Sequence, residues 1–334
     1  MQDKLIQLFP MDRRGFWEEV CRQEQYLQEI RLRVDKPVTI LCRGREWFLD
    51  QDGSFTERVS MAYRAGEDEV KALLSHICHY SLYAFEDEIR QGFITVAGGH
   101  RVGIAGQVVV EGLSGSGRVR TIKHISYLNI RVAHELIGVA DKVMPFLYQK
   151  GCLLNTLVIS PPGCGKTTLL RDMIRQVSDG NSYGEGICVG VVDERSEIAG
   201  SFLGRAQNDV GLRTDVMDAC PKVLGMMLLL RSMSPGAIAV DELGSIEELQ
   251  ALRVAASCGS RILATVHGES VQDYRNKFAG WEGGAEILFD RFIILGKENG
   301  KPVVKNIYKK EDLDAAGSGS GYDYRRLHGT GLVV

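Results

Sequence analysis

From Leu153 to Gly268 the sequence repeats one unit: a short apolar run, a polar or glycine-rich cluster, then a segment whose apolar residues recur at helical spacing. The runs are LLNTLVIS (153–160), GICVGVVDE (186–194), GAIAVDE (236–242) and RILATVHG (261–268). Between them GKTTLLRDMIRQVSD, PKVLGMMLLLRSMS (221–234) and SIEELQALRVAASCG read as helices. Strands covered on both faces lose the in–out alternation of half-exposed ones, and strand–helix alternation joins parallel neighbours. The expected fold is therefore α/β, a mostly parallel sheet wrapped by helices, with ligands bound beyond the carboxyl ends of the strands.

The first of those ends carries SPPGCGKTT (160–168), which fits the phosphate-loop pattern G-x-x-x-x-G-K-[ST] except that Ser160 stands where glycine is usual. A loop opening a helix aims unpaired main-chain N–H groups at a bound anion, so Pro162, Gly163, Cys164, Gly165, Lys166, Thr167 and Thr168 form the candidate nucleotide-binding set. Lys166 is expected to reach the β- and γ-phosphates of ATP and the Thr167 hydroxyl to ligate Mg²⁺. Gly165 lets the backbone come close. Glycine at the mouth of such a loop answers to backbone strain more than to phosphate contact, so the serine should matter less than loss of Gly165 or Lys166.

Roughly 75 residues beyond the loop, AIAVDE closes a core strand on Asp241 and Glu242. An acid there holds Mg²⁺, and a second acid can polarise the attacking water. VVDERSE (191–197) brings Asp193, Glu194, Arg195 and Glu197 to the same sheet edge. A charged strand end is otherwise simply solvated. ATVHG places Thr265 and His267 at the next strand end, where an imidazole can report a γ-phosphate or merely fill a structural role.

The first half reads differently. EIRLRVDKPVTILCRGREWFL (29–49) suggests two strands joined by a turn at DKP, residues 67–80 a helix, and GFITVAGGHRVGIAGQVVV (92–110) two strands about Gly98 and Gly99. SGSGR (114–118) reads as a flexible turn, YLNIRVAHE (127–135) as the end of a small α+β unit, and VADKVMPFLYQKG as a short helix leading onward. The expected division is an α+β domain over 1–140, the nucleotide-binding domain over 141–313, and a glycine- and serine-rich tail over 314–334. HICHY, with His76, Cys78 and His79, lies on apolar helical spacing and reads as a packed helix, not a metal site.

Composition sets limits. Lys+Arg of 40 against Asp+Glu of 43 gives −3, so whole-molecule attraction to nucleic acid or anionic lipid is not expected. The run VLGMMLLL (223–230) is far short of the ~20 apolar residues that span a bilayer, and the amino terminus lacks a leader-like apolar stretch. Eight scattered cysteines read as reduced thiols. A cytoplasmic protein is expected, peripheral to a membrane at most through partners.

With LVISPPGCGKTTLLRD, VVDERSEIAG, LLRSMSPGAIAVDELG and ATVHG in that order, and EIRLRVDKPV and QGFITVAGGHRVGIAGQVV before them, the sequence resembles the stage III sporulation protein AA family over roughly residues 25 to 310. That family is similar to the type II and type IV secretion ATPases of the RecA-like, AAA-related P-loop assemblage. The resemblance implies a RecA-like P-loop NTPase domain behind a smaller α+β domain. It also implies a hexameric homo-oligomeric ring, with ATP between subunits, that powers or assembles a channel of integral membrane proteins joining mother cell and forespore. VDERSE corresponds to an acidic box, VDELG to a Mg²⁺ motif and ATVHG to a histidine box, while Arg231 matches an arginine ahead of the Mg²⁺ strand. The base stays open between Glu242 and Glu194, since secretion ATPases commonly carry Gly-Glu where Asp241-Glu242 stands. Ring ATPases set an arginine of one subunit against the γ-phosphate of the next. Arg101 and Arg131 are the candidates, with Arg90 and Arg120 behind them. A nucleic-acid-stimulated motor and a nucleotide-dependent scaffold with little turnover are the alternatives; the first predicts stimulation by DNA or RNA, the second tight ATP binding without phosphate release.

Overall fold

The computed structural model describes residues 4–111, 118–281, 288–314 and 322–323. The expected turn at 114–118 and the tail from 314 lie almost wholly outside the described residues. The chain divides into two compact units. One takes the described residues of Met1–His134 together with Gly200–Gln207, the other those of Glu135–Ala199 and Asn208–Val334.

In the first unit, helix α1 (Arg14–Arg22) precedes strands β1 (Leu27–Arg33), β2 (Thr39–Cys42), β3 (Arg45–Leu49) and β4 (Phe55–Thr56). Helices α2 (Glu67–Ile77) and α3 (Glu86–Gln91) then lead to β5 (Phe93–Thr95), β6 (Arg101–Glu111) and β7 (Arg118–Arg131). The strands form an antiparallel sheet in the order β4-β3-β2-β1-β7-β6-β5. Period-two alternation buries Ile30 and Leu32, an irregularity between Leu27 and Glu29 turns Leu27 inward as well, and α2 lays Val70, Leu73, Leu74 and Ile77 on the same core. Helix α2 stops at Ile77, short of the expected 80: Cys78 is buried just past it, while His79 and Tyr80 are exposed and adopt positive φ (49° and 60°), which ends the helix. The stretch expected as one strand after DKP is a hairpin: Arg43 and Gly44 both adopt positive φ (53° and 73°), the two-residue turn whose twist suits paired strands.

Segment Gly200–Gln207 packs with this unit although it lies far downstream. Phe202 rests on the first core, its ring 5.8 Å from that of His79, and Gln207 Oε1 accepts from the Gly98 N–H at 3.0 Å.

The second unit begins with a single 3₁₀ turn, Met144–Phe146, where a short helix was expected. Pro145 in that turn has no N–H to extend an α-helical ladder, and Lys150 and Gly151, both at positive φ, instead close a small hairpin of β8 (Tyr148–Gln149) and β9 (Cys152–Leu153). There follow β10 (Thr156–Ser160), α4 (Lys166–Asp179), β11 (Val189–Asp193), β12 (Thr214–Asp218), α5 (Lys222–Ser232) and β13 (Ala237–Val240). Next come α6 (Ile246–Ser257), β14 (Arg261–His267), α7 (Val271–Lys277), β15 (Arg291–Glu298), β16 (Lys301–Lys309), α8 (Lys310–Asp314) and β17 (Tyr322–Asp323). The sheet order is β12-β11-β13-β14-β10-β15-β16-β17; the first six strands are parallel, the last two antiparallel. A mostly parallel α/β sheet is thus the fold, as the alternating runs require.

Both faces are covered. Val158, Val191, Ala239 and Leu263 pack against Leu170, Met173 and Val177 of α4, while Ile159, Val240, Ala264 and Val266 face α5 and α6. Each fully buried Val or Leu contributes about 1.5–3 kcal/mol. Gly225 lets α5 approach β11: a Cβ there would stand 2.5 Å from Val192 Cγ1. Gly225→Ala should therefore destabilise the protein by up to about 2 kcal/mol in urea unfolding, since overpacking of about 1–3 kcal/mol outweighs the ~1 kcal/mol gain in helix propensity. A stabilised variant would contradict this packing.

Candidate functional site

Four strand ends converge. Ser160, Asp193, Asp241 and His267 close or directly follow β10, β11, β13 and β14, and Ser160 lies beside His267 in the β10–β14 register. Ser160 is buried, does not adopt the left-handed backbone, and donates its hydroxyl to the Pro161 carbonyl at 2.7 Å. Nothing at that position asks for glycine. Gly163 and Gly165 do lie in the left-handed region, at φ 67° and 77°, and α4 starts at Lys166 with no described side chain capping its first turn. Main-chain donors at that helix end are available to an anion. The Cys164 thiol turns inward, so this residue offers its backbone alone; Pro162 is exposed and Thr168 half-buried on the same loop.

The buried Lys166 side chain sets Nζ 2.5 Å from Glu242 Oε1. Glu242 also meets Arg195 Nη1 at 2.8 Å through Oε2 and His267 Nε2 at 3.0 Å through Oε1. Burial alone would raise the Glu242 carboxyl, but the bond and charge of Lys166, with His267 and Arg195, outweigh it and hold it below the usual carboxylate range. Its neighbour Asp241 accepts the Thr167 hydroxyl at 2.5 Å on one oxygen and the Thr265 hydroxyl on the other. Thr265 acts twice, since its Oγ1 also accepts the Glu242 N–H at 2.9 Å while its carbonyl accepts the Leu243 N–H at 2.8 Å. These bonds hold Glu242 at φ 55°, a left-handed conformation that costs a non-glycine residue about 1–3 kcal/mol and that clusters at functional sites.

The acids after β11 divide. Asp193 is buried and accepts the main-chain N–H groups of Glu197, Ile198 and Ala199 at 2.8–3.0 Å, so it shapes a turn. Burial pushes its carboxyl up against those three bonds. Arg171 on α4 fastens the same turn, donating to the Glu197 and Ile198 carbonyls at 2.6 and 2.5 Å. Glu194 is bonded instead to the buried Lys222, at 2.9 Å, which also holds Glu248 at 3.2 Å.

The structure thus gathers Lys166, Thr167, Asp241, Glu242 and His267 into one network, with Glu194 in an adjoining one. Arg101 and Arg131 belong to the first unit, where they are opposite partners across β6 and β7 and so share a face. Arg101 lies 3.7 Å over the Phe93 ring and Arg131 Nε 3.8 Å from Glu29. Arg90 is engaged by Glu86, Asp87 and the Arg120 carbonyl. Arg231 is exposed in the last turn of α5. Sequence reasoning named Thr265 and Arg195 without a role and passed over Lys222; the signal for Thr265 was a polar residue inside a core strand.

A Mg²⁺-nucleotide fits these residues. A hydroxyl and a carboxylate oxygen already 2.5 Å apart are the donors a hard cation takes, and the lysine beside them faces a loop lined with main-chain donors. Among the described residues no group of three or more His, Cys, Asp or Glu side chains is placed to hold a metal, and a phosphate-loop Mg²⁺ draws most of its ligands from substrate and water.

Loop, strand-end acids and sheet order together define a P-loop nucleoside-triphosphatase fold of the secretion-ATPase kind. The chain superposes on the ATPase DotB of Legionella pneumophila with a TM-score of 0.56 at 16% identity, covering 92% of this chain and 83% of that one. It matches the pilus retraction motor PilT with bound ADP equally, at 0.56 and 16%, over 87% and 81%. The chain belongs to the family described as Sporulation stage III, protein AA, whose model matches residues 1–314. It is 36% identical over 310 residues to the Stage III sporulation protein AA of Bacillus subtilis (strain 168), covering 92% of this chain and 95% of that protein. No helix among the described residues is long and apolar enough to cross a membrane.

Proposed function

We propose that this protein binds Mg²⁺-ATP at the loop 160–168 and hydrolyses it, acting as a ring ATPase that serves a secretion-like channel between mother cell and forespore. The observation that carries the chemistry is the single network of Lys166, Thr167, Asp241, Glu242 and His267 at the mouth of a phosphate loop. Thr167 and Asp241 hold Mg²⁺, which when bound screens the charge of the phosphate oxygens. Lys166 turns from Glu242 to the phosphates. Glu242, still oriented by His267 and by its own backbone bond to Thr265, takes the proton from the attacking water. Glu242 is preferred to Glu194 because it lies against the loop lysine, whereas Glu194 sits on Lys222 in the adjoining network. The family and its sporulation stage support the channel role, and the secretion-ATPase fold supports a hexameric ring docked on integral membrane proteins. In that ring Arg101 and Arg131, side by side on one strand pair, are the cations offered to a neighbouring subunit's γ-phosphate.

The test is phosphate release as a function of protein concentration beside sedimentation velocity. Turnover per subunit should rise as larger species form, and DNA or RNA should leave it unchanged. Turnover per subunit independent of concentration would remove the shared-site ring, and strong stimulation by nucleic acid would favour a different motor.

A further inference from the structure

We propose that Lys297 is a second cation of the phosphate loop, binding the nucleotide's polyphosphate from the β15 side, across the loop from Asp241. The proposal rests on the nucleotide-binding reading above. Three observations place the residue. The pairing of β10 with β15 ends at Ile159–Ile294; from there β10 becomes the loop, while β15 continues beside it to Glu298. A bulge against β16 falls at that point, between Ile294 and Leu295, leaving Lys305 without a partner on β15. The extra residue belongs to β16, so β15 itself runs on without interruption and its alternation holds as far as Lys297. Ile293 and Leu295 pack in the α4-side core, so strand alternation brings Lys297 to the same face, the one on which the loop opens into α4.

The side chain completes that path. Lys297 Nζ stands 3.5 Å from where a Cβ on Gly163 would lie, against the middle of the loop. At Gly296 the missing side chain lets Lys305 cross the other face, its Cε 2.0 Å from the position a Cβ would take. Lys297 is exposed, and among the described residues no carboxylate pairs with it, whereas Lys166 and Arg195 meet Glu242 and Lys222 meets Glu194 and Glu248. An unpaired ammonium beside main-chain donors that hold an anion adds charge where di- and triphosphates carry most of theirs. It would meet ground state and transition state alike, so it should act on affinity and leave the chemical step alone.

The experiment is calorimetric binding of Mg²⁺-ADP, Mg²⁺-ATP and inorganic pyrophosphate to wild type, Lys297→Ala and Lys297→Arg, with steady-state kinetics alongside. Alanine should weaken all three ligands about tenfold, or about 1.4 kcal/mol, and raise KM to match with kcat retained. Arginine should restore most of the affinity. Unchanged affinity in the alanine variant, or a loss confined to kcat, would overturn the proposal while the nucleotide site stands. Absence of binding by the wild type would overturn both.

Discussion

Alanine in place of Lys166 should cut ATP turnover roughly 10²–10³-fold, the usual effect of removing one preorganised donor from developing charge. Lys166 is the cation that both faces the loop and touches the strand-end acids, through its 2.5 Å contact with Glu242. The fold should survive. Glu242 keeps Arg195 and His267 when the lysine is gone, so its carboxylate is not stranded, and the packing of α4 through Leu169, Leu170 and Met173 does not depend on residue 166. Thermal unfolding and far-ultraviolet dichroism should stay close to wild type while phosphate release falls by that factor. Turnover near the wild-type rate in a correctly folded Lys166→Ala protein would remove the loop from the chemistry.

Glu242→Gln should be nearly as severe in rate and opposite in binding. The amide cannot accept a proton, which removes about 10²–10⁴-fold of general-base assistance. It also releases Lys166 from a charged partner, so Mg²⁺-ATP should bind at least as tightly as in wild type and accumulate uncleaved. Glu194→Gln, which disturbs a carboxylate already bound to Lys222, should leave most of the turnover intact; the reverse ranking would move the base to Glu194. The pH dependence follows from the depressed Glu242 carboxyl. Its ion pairing stabilises the fold fully above the ordinary glutamate value of about 4.3 and loses that contribution as pH falls through the lower folded value. The glutamine variant should therefore lose less stability on acidification than wild type.

The loop and the Asp241-Glu242 pair could be read directly because their chemistry is local: consecutive main-chain amides, and a core strand ending on acids. What the spacing did not reveal depends on register. Thr265 reaches Asp241 because Val240 pairs with Ala264, and no property of ATVHG alone specifies that alignment. Arg101 and Arg131 read as separate alternatives, yet they are cross-strand neighbours; bulges at Ala105/Gln107 and Val109/Val110 shift the pairing so that it cannot be counted from the turn. Strand β12 carries Asp215 and Asp218 and is only half-buried, so it lacks the apolar run by which its neighbours were found. The β15–β16 hairpin did carry a signal, the Asn299-Gly300 turn at positive φ, but it stands outside the strand–helix alternation that marks the rest of the sheet.

The return of Gly200–Gln207 to the first unit bears on how this polypeptide is made. The chain changes units at His134–Glu135, again at Ala199–Gly200 and once more at Gln207–Asn208. A nascent amino-terminal unit therefore cannot seat Phe202 until β10 and β11 have left the ribosome, so its maturation overlaps that of its successor instead of preceding it. Expressed alone, residues 1–134 would lack the last piece of their own core, and a fragment starting at 135 would carry that piece with nothing to cover it.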